Sequence, residues 1–415
     1  VTAAPSARWK EVARAAGLMR GGVLASTVFA EMSALAARTG ALNLGQGFPD
    51  TDGPASVVEA AAAALRAGHN QYPPGPGIPA LREAVAAHQE RRYGLRLDPE
   101  REVLVTAGAT EALAAAVLAL TGPGDEVLTL EPFYDAYAAV IAMAGARHTT
   151  APLVPGPDGF RLDLDALAAA FTSRTRLVLL NTPHNPTGAV LTRAELAAVA
   201  DLAQRHDALV VTDEVYEHLV LEPGAVHVPM ATLPGMAGRT LTISSSGKTL
   251  SLTGWKIGWV SGPAALVDAV RTVKQYLTYV SGAPFQPAVA FALTDPGVAA
   301  WVADLAASLA RRRDVLVEGL TAAGLAPVRP EGTYFVLADP APLGVRDGVA
   351  LCRALPGLAG VVGVPVTAFT REGSATDTAL RAWVRFTFVK RDEVLAEAVR
   401  RLAGLDRARA ASLAA

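Results

Sequence analysis

The sequence predicts an α/β fold: a large unit built on a mostly parallel sheet with helices on both faces, followed by a smaller α/β unit. Three observations predict it. From about residue 100, short apolar runs rich in β-formers alternate with Ala/Leu stretches of helical length, the pattern of strands buried on both faces. At 415 residues the chain exceeds one simple core. The loops richest in Ser, Asn, Asp and Lys follow directly on the apolar runs, which is where an open α/β sheet binds ligands.

The elements read in order as follows. Glu102 to Thr106 is a strand and Thr110 to Leu120 a helix, closed by the turn Gly122-Pro123-Gly124-Asp125. Glu126 to Leu130 is a strand and Tyr134 to Ala144 a helix; Arg176 to Leu180 is a strand and Arg193 to His206 a helix. Ala208 to Thr212 and Arg239 to Ile243 are further strands. Residues 56–295 are expected as the large domain, with 296–405 as the smaller, strand-poor one, packed with an N-terminal segment over 21–55. Residues 1–20, with Glu11 as the only acid, and residues 406–415 are expected as flexible tails.

Composition narrows the function. The chain is 51% hydrophobic and carries a net charge of −2, which argues against a nucleic-acid or other polyanionic partner. No apolar stretch is long enough for a membrane span, so no membrane partner is expected. Cys352 is the single cysteine, which excludes an internal disulfide, makes a cysteine-based metal site untenable, and fits a reducing cytoplasm.

Four loops would converge on one sheet edge: Gly108-Ala109-Thr110, Asn181 to Gly188, Asp213 to Tyr216, and Ser244 to Lys248. Backbone N–H groups at Ala109 and Thr110 open a helix and form a favourable anion site. Taken singly, each feature has a plainer reading. Gly108 to Thr110 can be a tight turn, Asp213 a helix cap, and Asn185 a turn residue before Pro186. Tyr134 can be a core aromatic, and Lys248 and Arg385 surface residues.

The motifs together resemble the class I aminotransferases of the aspartate-aminotransferase fold. Ser244-Ser245-Ser246-Gly247-Lys248, running on to Lys256-Ile257-Gly258-Trp259, is similar to that family's cofactor-lysine signature. Asn181-Thr182-Pro183-His184-Asn185-Pro186-Thr187-Gly188 resembles its asparagine–proline motif, and Asp213-Glu214-Val215-Tyr216 its aspartate–tyrosine motif. The resemblance covers about residues 24–403 and implies fold type I, with a seven-stranded sheet in the large domain. The implied cofactor is pyridoxal 5′-phosphate.

It also implies roles. Lys248 would hold the cofactor aldehyde in imine linkage and then shuttle a proton. Asp213 would pair with the ring nitrogen, and Tyr216 and Asn185 would donate to the ring hydroxyl oxygen. Ala109, Thr110, Ser245 and Lys256 would bind the phosphate; many members carry arginine where Lys256 stands, and lysine keeps the charge without the fork. Tyr134 would stack on the ring. Tyr72 would reach the phosphate of a partner subunit, making the site complete only in a homodimer. Arg385 and the backbone of Gly47 would hold the substrate α-carboxylate.

Within the family, Leu44 to Asp50 and Glu131 to Asp135 resemble the kynurenine, glutamine-phenylpyruvate and methionine aminotransferases. Asn70 to Gly77 and Ser281 to Pro287 resemble bacterial N-succinyl-diaminopimelate aminotransferases. The implied reaction moves an amino group from an L-amino acid to a 2-oxo acid. An aromatic or methionine side chain would meet Phe29, Phe48, Tyr72, Tyr279 and Val280; a succinylated diamine would need a further Arg or Lys. A cysteine-S-conjugate β-lyase would use the same residues. A regulator carrying an aminotransferase-like domain is disfavoured, because about twenty residues precede the recognisable fold. A dehydrogenase is disfavoured by the lack of G-x-G-x-x-G after a first strand.

Overall fold

The computed structural model describes residues 8–412. Its large sheet has eight strands: β1 (Val103–Thr106), β2 (Glu126–Glu131), β3 (Arg147–Gly156), β4 (Gly159–Leu162), β5 (Thr175–Asn181), β6 (Leu209–Asp213), β7 (Thr240–Ser245) and β8 (Gly258–Ser261). They lie in the order β1-β8-β7-β6-β5-β2-β3-β4. Strands β7, β6, β5, β2 and β3 pair in parallel, while β8 runs antiparallel to both β7 and β1. The expected seven strands are therefore joined by an eighth, β4, which folds back on β3 as a hairpin.

Burial explains the pattern. Every residue of β1, β2, β7 and β8 is buried, because helices cover both faces. On one face the helices Gly108–Leu120 and Ala136–Ala144 pack Leu113, Val117, Tyr137 and Ile141 against Val127, Leu179 and Val211. On the other, Arg193–Arg205 contributes Leu196, Val199 and Ala203. That helix starts where the sequence dictates. Thr192 accepts from the backbone N–H of Glu195, and the Glu195 carboxylate reaches back to Thr192, a capping box.

The smaller unit holds four antiparallel strands, β9 (Ala326–Val328), β10 (Phe335–Asp339), β11 (Val364–Pro365) and β12 (Val384–Thr387), in the order β9-β10-β12-β11. Leu42–Asn43 pairs with Val361–Val362, and helix Val28–Thr39 packs on helix Gly348–Ala359. Helix Pro296–Ala322 runs alongside helix Asp392–Ala403. Among the described residues no single helix is long and apolar enough to cross a membrane.

Both segments expected as tails hold a short helix among the described residues. Within residues 1–20, Arg8–Ala15 is a helix that packs on Ala136–Ala144, with Arg8 donating to the carbonyl of Met143 at 2.6 Å. Residues 1–7 lie outside the described residues. Within residues 406–415, Arg407–Ser412 is helical and buries Ala410 in the small-domain core; residues 413–415 lie outside the described residues. Each short segment gains a hydrophobic contact that its charged sequence conceals.

Candidate active site

The four loops do converge. Gly108, Ala109, Thr110, Tyr134, Asn185, Asp213, Tyr216, Ser245, Lys248 and Lys256 all line one cavity of about 210 Å³ at the carboxyl ends of β1, β5, β6 and β7. Strand order produces this, since β7, β6 and β5 are adjacent and in parallel register.

Asp213 ends β6 and is buried. Its Oδ2 accepts from the hydroxyl of Tyr137 at 2.8 Å, and its backbone carbonyl accepts from Asn181 Nδ2 at 2.8 Å. Burial pushes its carboxyl up to about 6, against the lowering influence of the Tyr137 hydrogen bond and the Lys248 charge. Such a site favours a cationic partner. Tyr216, also buried, is pushed well above its ordinary value, first by desolvation and then by Tyr334 beside it. Its phenol stays protonated and able to donate.

Lys248 sits in the short helix Ser246–Thr249 immediately after β7. Its Nζ lies 5.8 Å from the ring centre of Tyr216 and 5.9 Å from that of Tyr334. The first residues of helix Gly108–Leu120 also line the cavity, and the first N–H groups of a helix have no partner within it. Lys256 Nζ donates to Thr110 Oγ1 at 3.3 Å, and burial followed by the Lys248 charge lowers its pKa. The close approach here needs glycine: a Cβ on Gly258 would meet the carbonyl carbon of Gly108 at 2.7 Å. Helix N-terminus, hydroxyls and ammonium together form an anion site.

Arg385 is buried on β12. Its Nη1 donates to Asn185 Oδ1 at 3.0 Å and its Nη2 to the carbonyl of Gly45 at 2.9 Å, while its Nε finds no partner. Three aromatic rings surround the guanidinium, Phe335 at 4.0 Å, Phe369 at 4.4 Å and Phe29 at 5.5 Å. Desolvation lowers its pKa to about 10, which leaves it cationic at neutral pH. It forms no ion pair with a described residue. A buried cation without an anion is costly unless a ligand supplies one.

Three expected residues do not line the cavity: Arg385, which reaches it only through Asn185, and Tyr72 and Gly47. Tyr72 is 80% exposed and packs edge-on against Tyr279 at 5.4 Å. Gly47 lies near Arg385 through its loop, but its missing side chain answers to packing: a Cβ would meet the Phe335 ring at 2.4 Å. Two further residues are not apparent from the sequence. Tyr137 lies three positions beyond Tyr134, in an Ala-rich helix where an aromatic reads as core. Tyr334 donates to the carbonyl of Gly47 at 2.8 Å and contacts the Tyr216 ring at 5.3 Å. The expected helix from Tyr134 would put both tyrosines on one face; the helix in fact begins at Ala136, and the two rings meet edge-on at 5.6 Å.

The cavity suits pyridoxal phosphate on this chain's own chemistry. A desolvated carboxylate faces an anion-binding helix terminus across it, with a primary amine between them and an aromatic side chain, Tyr134, in the wall. Comparison with known proteins agrees. The family of class I and II aminotransferases matches residues 39–402. A probable N-succinyldiaminopimelate aminotransferase of Mycobacterium tuberculosis is 58% identical over 386 residues, covering 92% of this chain and 96% of the relative. The methionine aminotransferase of Escherichia coli is 40% identical over 380 residues, 91% of this chain and 96% of that one. The solved structure of the N-succinyldiaminopimelate aminotransferase from Mycobacterium tuberculosis superposes with a TM-score of 0.89 at 55% identity, over 96% of this chain and 99% of the other. The chain belongs to the class I and II aminotransferases, fold type I enzymes that use pyridoxal 5′-phosphate to pass an amino group from an amino acid to a 2-oxo acid.

Proposed function

We propose that this chain transaminates an L-amino acid with a distal carboxylate, of the N-succinyl-diaminopimelate type, and that Lys248 is its cofactor-bearing lysine. The observation that carries the substrate reading is the 58% identity, over nearly the whole chain, to a relative described with that activity. A structural feature supports it. Next to Phe29 and Asp135 a cleft of about 960 Å³ opens, and Arg14, Arg371 and Arg381 on its wall form no ion pair with a described residue. Glu31 and Asp377, on the same wall, are engaged by Arg353 and by Thr370.

When bound, pyridoxal phosphate supplies an electron sink through its protonated ring nitrogen. The chain's residues do the rest. Asp213, in its desolvated position, keeps that nitrogen protonated. Tyr216, a neutral phenol, and the amide N–H of Asn185 donate to the ring hydroxyl oxygen; Asn185 has its Oδ1 committed to Arg385. Ala109, Thr110, Ser245 and Lys256, which line the cavity, would hold the phosphate, and Tyr134 would pack on the ring. Arg385 would take the substrate α-carboxylate with its fork, beside the Gly45–Gly47 loop whose Gly45 carbonyl it already meets at 2.9 Å. Lys248 Nζ would then carry the proton between the substrate Cα and the cofactor carbon C4′.

An exposed aromatic patch of Tyr72, Tyr276 and Tyr279 supports a homodimer in which Tyr72 completes the partner's phosphate site. Residues 56–295 would then form the cofactor domain, with 21–55 and 296–405 as the smaller one. A single buried thiol, Cys352, accords with a cytoplasmic enzyme. A broader reading, methionine or aromatic donors, draws on the 40% relative and on the phenylalanine shell of Arg385. Turnover with N-succinyl-diaminopimelate, methionine, glutamine and kynurenine as donors and 2-oxoglutarate as acceptor tests both. Preference for the succinylated diamine by at least tenfold in kcat/KM is expected. Equal or greater turnover of methionine or kynurenine refutes the substrate assignment. Pyruvate and ammonia released from a cysteine S-conjugate would mark β-lyase chemistry.

A further inference from the structure

Behind the Lys248 turn, on the side away from the cavity, lies a buried polar cluster that the reaction scheme does not use. Glu217, next to Tyr216 in the chain, accepts from Ser244 Oγ at 2.6 Å through one oxygen and from the Tyr93 hydroxyl at 2.7 Å through the other. His218 Nδ1 lies 3.0 Å from Thr249 Oγ1, and Thr249 is the residue after Lys248. His218 Nε2 lies 2.9 Å from His88 Nε2. His88 and Tyr93 both belong to helix Pro79–Tyr93. Three segments distant in sequence are thereby laced together: the helix, the stretch after Tyr216, and both ends of the lysine turn.

Two imidazoles and a carboxylate in one place invite a metal reading. The geometry argues against it. Two histidine nitrogens on one tetrahedral zinc sit about 3.3 Å apart, from zinc–nitrogen bonds of about 2.05 Å, whereas 2.9 Å is hydrogen-bond spacing. Both Glu217 oxygens also have donors already. Burial pushes both imidazoles below their ordinary range, His218 to about 4, so each has one N–H at neutral pH. One assignment leaves no N–H stranded. His88 Nε2 donates to His218 Nε2, His218 Nδ1 donates to Thr249, and the only atom without a partner is His88 Nδ1, as a lone pair. An orphan acceptor is tolerated better than an orphan donor.

We infer that His88, His218 and Glu217 are positioning residues for Lys248: by gripping Ser244 and Thr249 they fix the turn that presents its amine to the cofactor aldehyde. The inference rests on the proposed role of Lys248. It predicts an effect confined to the covalent form of the cofactor. Joining Lys248 Nζ to the aldehyde carbon forms one C=N bond and releases one water. Pyridoxamine phosphate has no aldehyde and would bind through phosphate, ring nitrogen, ring hydroxyl and stacking, without the imine.

The test uses the full-length protein stripped of cofactor, titrated with pyridoxal phosphate and with pyridoxamine phosphate. Thr249→Val removes the hydroxyl that His218 engages while keeping the shape. The expected result is an affinity for pyridoxal phosphate weakened about tenfold, an affinity for pyridoxamine phosphate unchanged within twofold, and recovery of the first in Thr249→Ser. Ser244→Ala, which releases Glu217 at the other end of the turn, should give the same asymmetry and serves if Thr249→Val does not fold. Equal weakening of both ligands, or no change in either, overturns the inference, as does one equivalent of tightly held zinc in the wild-type protein. Wild-type protein that binds neither ligand instead removes the reading of Lys248 as the cofactor lysine, and the inference falls with it.

Discussion

Asp213 makes a prediction in which stability and cofactor binding move in opposite directions. In cofactor-free protein its carboxyl is raised from 3.8 to about 6 by burial. The folded state therefore holds the proton more tightly than the unfolded chain does. The stability this group contributes is complete below about pH 3.8 and is lost as pH rises through 6. At about 1.4 kcal/mol per pH unit, the full loss is about 3 kcal/mol, and the part between pH 5 and 7.5 is about 1.4 kcal/mol. Asp213→Asn has no charge to desolvate, and its amide oxygen can still accept from Tyr137. The cofactor-free variant should be more stable than wild type at pH 7.5, and the advantage should shrink by about 1.4 kcal/mol at pH 5. Its affinity for pyridoxal phosphate should nevertheless fall, because the ring nitrogen loses its anion. Urea unfolding at the two pH values, with and without cofactor, reads both effects. A variant less stable than wild type at pH 7.5 without cofactor, or an advantage independent of pH, would refute the desolvation argument.

Further outcomes follow from the same geometry. Lys248→Ala should abolish borohydride-fixable cofactor and lower turnover by at least about 10⁴-fold; peptide mapping of the reduced wild-type protein should find the label on Lys248. Arg385→Lys keeps a cation but loses the fork, so kcat/KM for amino acids should drop by roughly 100-fold, while a simple amine lacking the carboxylate should lose far less in a single-turnover assay. Gly47→Ala drives a Cβ into the Phe335 ring, which should cost about 1–3 kcal/mol of stability and raise KM more than it lowers kcat. Tyr72→Ala should leave the protein folded, since the side chain is exposed in the protomer, yet weaken phosphate binding; mixed dimers with Lys248→Ala should then recover part of the activity.

Residues whose identity is forced by covalent or ionic chemistry are legible in the sequence alone. Lys248, Asp213, Asn185 and Arg385 stand out in motifs because few side chains could replace an amine, a ring-nitrogen anion or a carboxylate fork in the proposed roles, and the structure brings the first three to one cavity with Arg385 bonded to Asn185. Strands such as β5 and β6 are legible for a different reason: both faces are buried, so they read as unbroken apolar runs. The hairpin β3–β4 is not, since β3 mixes exposed and buried positions along its length. Strand β8 is hidden because Gly258-Trp259 reads as the end of the lysine motif, although it is also what separates β1 from β7. Tyr137 and Tyr334 stay invisible because a buried tyrosine ring looks like core; only the fold tells where its hydroxyl goes. The His88–His218 contact joins residues 130 positions apart, a relation that no local pattern encodes.

The proposed cofactor cavity and the proposed carboxylate site around Arg385 are linked by hydrogen bonds. From Arg385 the bonds pass to Asn185 and on to Asn181, whose amide binds the backbone of Asp213. A second line runs from the carbonyl of Gly47 through the Tyr334 hydroxyl to Tyr216. The first line starts on β12 and the second at Tyr334, the residue before β10, and both lead to the carboxyl edge of the large sheet. In the proposed scheme, a substrate carboxylate that neutralises Arg385 would act on a guanidinium whose remaining bonds lead toward Asp213 and Tyr216, the two groups assigned to the cofactor. An amine without that carboxylate leaves a desolvated cation among three aromatic rings. The penalty for the wrong ligand is an unpaired buried charge, a stronger basis for discrimination than the loss of one contact.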